Sequence, residues 1–148
     1  MRKIVEQRKI HSDPAFQTLL ERLRQFPPTG PTGLRTRGLQ GSAKSFYLSL
    51  LFRHASRFLI IVSPTEREAT GLARDLSFFL GPERILHYPA WDVISTDLFA
   101  FQREAEMARL EGLCRLLSPV PSVVVLSLKA LAQKVVPRTV LEAYRRVI

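Results

Sequence analysis

Apolar residues along this 148-residue chain alternate between a helical period and short unbroken runs. In "SDPAFQTLLERLRQF" the residues Phe16, Leu19, Leu20, Leu23 and Phe26 recur at three- and four-residue steps, which places them on one helical face. Asp13 can cap that helix, and Pro14 suits its first position. The Pro/Gly cluster "PPTGPTG", residues 27–33, ends it. "AKSFYLSLLFRHA" predicts a second, largely buried helix. "FLIIVS", residues 58–63, is a continuous apolar run, the pattern of a strand covered on both faces. Thr65 and Glu68 form a capping box for a third helix, whose stripe is Ala69, Leu72, Ala73, Leu76, Phe79 and Leu80. Gly81-Pro82 stops it. "RILHYP" predicts a short strand and "AWDVISTDLF" a loop or turn. "QREAEMARLEGLCRLL" predicts a helix with Met107, Leu110, Leu113, Cys114 and Leu117 facing inward. Its Glu104, Glu106 and Glu111, interleaved with Arg103, Arg109 and Arg115, predict a solvated face. "SVVVLS", residues 122–127, is the clearest buried strand, and "LKALAQKV" and "RTVLEAYRRVI" predict two shorter helices.

Strands that are apolar on both faces and alternate with amphipathic helices imply an α/β fold with a parallel sheet. The length is that of one domain and supports a real core. A hydrophobic content of 46% with 24% charged residues is ordinary for a globular chain. No apolar run reaches the roughly 18 residues of a membrane span, and the basic N-terminus has no apolar core of the signal-peptide kind. One cysteine, Cys114, excludes an internal disulfide framework and fits a reducing, cytoplasmic setting.

Charge changes the picture. The net formal charge is +9, and it is uneven. Residues 1–57 hold 11 Lys/Arg against Glu6, Asp13 and Glu21, a net of +8, while the remaining residues hold 11 against ten acids, a net of +1. A basic half attracts polyanions such as nucleic acid, although the same charge also serves plain solubility.

The segment "RGLQGSAKSF" carries the main candidate chemistry. Gly38, Lys44 and Ser45 fit the phosphate-loop pattern Gly-x-x-x-x-Gly-Lys-Ser/Thr, but Ala43 stands where the second glycine belongs. Such a loop aims backbone N–H groups at phosphate oxygens at a helix start. Its lysine reaches the outer phosphates, and its hydroxyl holds magnesium. Gly38, Gly41, Ser42, Lys44 and Ser45 are suitably typed for that role. The effect of the Ala43 methyl depends on the backbone there. The preceding "PTGLRTRG" is a poor central strand because Arg35 and Arg37 would be costly to bury. That strand lies at an edge, is distorted or is absent. Hydrolysis also needs an acidic metal partner at a strand end, whereas the two clear strands end at Ser63 and Ser127.

Other candidates are weaker. His11, His54 and His87 lack metal-ligand spacing, so no metal site is expected. Cys114 lies on a helix stripe and reads as core. Ser63, Ser95 and Ser127 lack a nucleophile-elbow context, so no catalytic residue is assigned. Trp91-Asp92 marks either a contact surface or an aromatic cap on the sheet.

The ordered set "GLQGSAKSF", "SPTEREATGLARDLSFFLG", "YPAWDVISTDLF", "ARLEGL" and "SVVVLSLKALAQKVVP" resembles the N-terminal module of bacterial transcription-repair coupling factors, from about Gly38 to Pro137. The chain departs from the family at Ser95–Asp97 and Phe99–Gln102. The resemblance implies a UvrB-like, RecA-like parallel sheet with flanking helices, present as an incomplete fragment of that fold. It implies residues 1–33 as an N-terminal helix and linker, 34–137 as the UvrB-like domain, and 138–148 as the start of a UvrA-contacting domain. It implies a degenerate phosphate loop, with Gly38, Gly41, Ser42, Lys44 and Ser45 as its remnants. The family uses ATP and magnesium in a downstream motor that displaces RNA polymerase from DNA and recruits excision repair. This stretch would then need no cofactor and act as a binding and regulatory module, in contact with the motor domains. Two rivals stand beside it: a working phosphate-loop ATP-binding domain of a helicase-like enzyme, and a generic basic nucleic-acid-binding domain.

Overall fold

A computed structural model describes residues 14–25, 33, 35–55, 57–91, 99–118 and 120–145. The chain forms two compact units, Met1–Ser56 and Arg57–Ile148. Among the described residues the first holds two helices, α1 (Pro14–Gln25) and α2 (Ser42–Ala55). Phe16 and Leu20 of α1 are buried against Leu50 of α2, with Phe46, Tyr47 and Leu51 packed around them. Phe16 makes edge-to-face contacts with Tyr47 and His54. The predicted α1 face is present, with Leu19 and Leu23 half-buried at its margin; Asp13 and Phe26 lie outside the described residues. Only one stripe of α2 is buried, consisting of Ser45, Ser49, Leu50 and Phe52, so this helix is less enclosed than its composition suggests.

The second unit is the α/β part. Its elements run β1 (Leu59–Ser63), α3 (Glu66–Leu80), a 3-10 turn (Pro82–Arg84), β2 (Ile85–Tyr88), α4 (Phe99–Leu116), β3 (Val123–Ser127), α5 (Leu128–Ala132) and α6 (Arg138–Arg145). The three strands form one parallel sheet in the order β1-β3-β2. β3 is central and buried throughout, as its unbroken Val-Val-Val-Leu run requires. Leu86, Tyr88, Val124 and Leu126 face α4 and pack with Leu113 and Leu116. The opposite side takes α3, whose Ala69, Ala73 and Leu76 are buried.

Local chemistry sets the helix ends. The Thr65 hydroxyl accepts from the Glu68 N–H at 3.2 Å, as the capping box predicts. Gly81 adopts φ 91°, a value that favours glycine, and its N–H closes the helix on the Ser77 carbonyl. Ser127 plays the same capping role for α5, accepting from the Ala130 N–H at 3.1 Å.

Two further sequence expectations change. β1 is an edge strand of the described sheet, and it is not covered on both faces. Ile60 and Val62 pair in register with Val124 and Leu126 but are 59% and 44% exposed, because α4 packs over β2. The inward face of α4 is also rotated from the Met107/Leu110 stripe. Met107 is 65% exposed, whereas Arg109 is buried. The reason lies at Gly112, where a Cβ would stand 3.1 Å from Tyr88 Cδ2 and 3.2 Å from Leu86 Cδ2. The missing side chain lets α4 approach β2 along the Ala105–Arg109–Gly112–Leu116 line. Gly112→Val should therefore overpack this contact and destabilise the protein by about 1–3 kcal/mol. The check is a lowered urea midpoint with an unchanged denaturant slope.

Candidate functional site

The glycine-rich stretch lies in the first unit. Gly38 and Gly41 have φ values of 86° and 52°, and open space surrounds both, so backbone conformation and not crowding selects glycine there. Residues 35–40 form no strand, so among the described residues no strand leads into the turn. The Ala43 N–H donates to the Gln40 carbonyl and the Lys44 N–H to the Gly41 carbonyl, both at 3.2 Å. Those are amides a phosphate loop would present to its ligand. Ser42 and Lys44 are exposed, whereas Ser45 is only 1% exposed. The five residues thus share one turn and helix start, and of them only Ser45 is buried. Beside it lies a groove of about 410 Å³, walled mainly by Leu19, Leu23, Leu39, Tyr47 and Leu51, with Arg37 and Lys44 as its cations. Its chemistry is apolar with a basic edge.

In the second unit the C-terminal strand ends are where a parallel sheet places ligands. Ser63 and Ser127 end β1 and β3 with no acid at either position, and Ser127 is occupied as a cap. A carboxylate at this end, Glu66, is also engaged. Its Oε2 accepts from the Ala90 N–H at 3.3 Å, and its Oε1 lies 3.2 Å from His87 Nε2 without hydrogen-bond alignment. Among the described residues no His/Cys/Asp/Glu cluster could hold a metal ion.

The polar centre of this end is Arg109. Its Nη1 donates to the Pro89 carbonyl at 2.8 Å and to Gln133 Oε1 at 3.1 Å, and its Nη2 donates to the Lys134 carbonyl at 3.1 Å. The guanidinium carbon lies 4.3 Å from the Tyr88 ring centroid and 4.9 Å from that of Trp91. Gln133 completes the arrangement: its Oε1 accepts from the Trp91 N–H at 2.8 Å and its Nε2 donates to the Trp91 carbonyl at 3.0 Å. One arginine and one glutamine thus clasp the chain leaving β2 to the chain leaving α5. Sequence reasoning placed Arg109 on a solvated face and did not single out Gln133. The available signal was the small Ala105 and Gly112, which flank position 109 at helical spacing and mark the face nearest the sheet. Trp91 is 40% exposed, and its backbone anchors the clasp.

The Tyr88 hydroxyl is buried without a hydrogen-bond partner among the described residues. Burial pushes the phenol above its ordinary pKa of 10.0, and the charge of Arg109 pulls the other way. Folding therefore opposes ionisation, so stability falls as pH rises above 10, where the unfolded chain has already lost the proton. Tyr88→Phe should be neutral or slightly stabilising at pH 7 and should flatten that alkaline decline, read from unfolding curves across pH 8–11. Arg109→Ala strands the Pro89 and Lys134 carbonyls and should cost about 2–4 kcal/mol. Arg115→Ala, on the exposed i,i+4 pair with Glu111, should cost no more than about 0.5 kcal/mol. Equal midpoints for these two variants would remove Arg109 from its central place.

Comparison with known proteins gives a restricted result. No protein-family model matches the chain, and no solved structure matches it. The transcription-repair-coupling factor of Myxococcus xanthus is 36% identical over 117 residues, which cover 74% of this chain and 10% of that protein. The chain thus spans about a tenth of the length of the curated relative it matches. Over that stretch the chain is a relative of a transcription-repair-coupling factor.

Proposed function

We propose that this chain acts as a non-catalytic binding and regulatory module of a transcription-repair coupling system. The observation that carries the proposal is the similarity to the Myxococcus protein along three quarters of the chain. In this reading residues 34–137 are the UvrB-like domain, 1–33 its leading helix and linker, and 138–148 the start of the next, UvrA-contacting domain. DNA, RNA polymerase and UvrA are met through the parent protein, where ATP and magnesium serve a motor elsewhere. Contact with that motor is the module's regulatory role.

The glycine-rich turn supports the absence of catalysis. Gly38 and Gly41 keep the shape of a loop entering α2, while the Ala43 and Lys44 amides bond to carbonyls three residues back. Ser45 is buried away from any metal-binding position at the surface. An unspent phosphate cradle would leave those amides and that hydroxyl available. The turn then serves as an inherited helix entry.

Titration of the chain with ATP and magnesium should give no heat of binding and no rise in melting temperature. Lys44→Ala should change stability by no more than about 0.5 kcal/mol, as expected for an exposed side chain outside any special site. Saturable ATP binding that disappears in Lys44→Ala would establish the working-loop alternative.

A further inference from the structure

A second depression of about 340 Å³ lies over the Arg109 clasp, lined by Trp91, Leu110, Leu113, Val135, Val136 and Arg109. Its walls are apolar and open to solvent: Val135 is 57% exposed, Leu110 43% and Val136 40%. A contiguous apolar surface around a Trp and an Arg has the anatomy of a protein-binding hot spot.

Charge specifies what fits. Arg109 is 3% exposed, and no described carboxylate lies within ion-pair distance of it. Its hydrogen bonds go to two backbone carbonyls and one amide oxygen, all neutral. A guanidinium has five N–H donors, and the Nε hydrogen and the second Nη2 hydrogen bond to no described group. The exposed Lys134 adds a second cation to the lining. Glu106, the one acid among the described lining residues, pairs with neither. A buried cation without a counter-ion among the described residues is a costly arrangement that an incoming carboxylate relieves.

We propose that this pocket docks a segment of a partner protein that presents a carboxylate between two apolar side chains. The apolar side chains fill the space between Leu110 and Val136, and the carboxylate takes the free guanidinium donors. The inference rests on the geometry of the second unit and stands apart from whether the glycine-rich turn binds nucleotide.

Trp91 is the sole tryptophan of the chain, so its fluorescence reports this pocket alone. The whole chain is titrated with three capped tripeptides: Leu-Glu-Leu, Leu-Gln-Leu and Leu-Lys-Leu. The glutamate peptide should give a saturable change in Trp91 emission, at an affinity at least ten-fold above the glutamine peptide, and the lysine peptide should give none. Arg109→Gln risks the fold, so exposed positions carry the control. Val135→Arg should abolish the response by filling the groove, and Lys134→Glu should weaken it several-fold, with both variants keeping the wild-type melting temperature. No saturable response to the glutamate peptide, or equal responses to all three, overturns the proposal.

Discussion

The second unit depends on a positive charge held inside it. Arg109 sits beneath Trp91 and against Tyr88, with three of its five donors engaged by the Pro89 and Lys134 carbonyls and the Gln133 side chain. Those acceptors belong to two segments far apart in sequence, one leaving β2 and one leaving α5. Here one side chain pairs two part-buried backbone carbonyls. Gly112 makes this possible by removing the side chain that would hold α4 away from Leu86 and Tyr88. Close helix approach, arginine burial and loop closure are thus one arrangement.

The same arrangement divides labour between the two units. The first carries the phosphate-loop-like turn but no described strand leading into it, and its amides are partly self-satisfied. The second carries the sheet, and its strand ends are occupied by caps, by Glu66 and by the clasp. Among the described residues neither presents an acid, a hydroxyl and free amides together. The chain is similar to a short piece of a much longer transcription-repair-coupling factor.

Much of the fold was legible in the chain. β3 announced itself because a buried parallel strand needs apolar residues on both faces. The Thr65 capping box and the Gly81 stop marked α3 because caps are local chemistry. β1 looked identical to β3 by composition and differs from it, because coverage is a tertiary property: Ile60 and Val62 are exposed where α4 does not extend. The glycine-rich turn was legible as a motif, whereas the bonding of its amides was not, since that depends on backbone torsions. Arg109 was misplaced because charge pattern alone assigns arginines to solvent. A long side chain that finds carbonyls and aromatic faces can be buried instead.

Native-state hydrogen exchange at the Trp91 amide tests the clasp most directly. That amide donates to a side chain, Gln133, and belongs to no strand. With the clasp in place it exchanges slowly, with protection close to that of the β3 amides. Exchange at the rate of an exposed loop, while β3 remains protected, would contradict the central place given to Arg109 and Gln133.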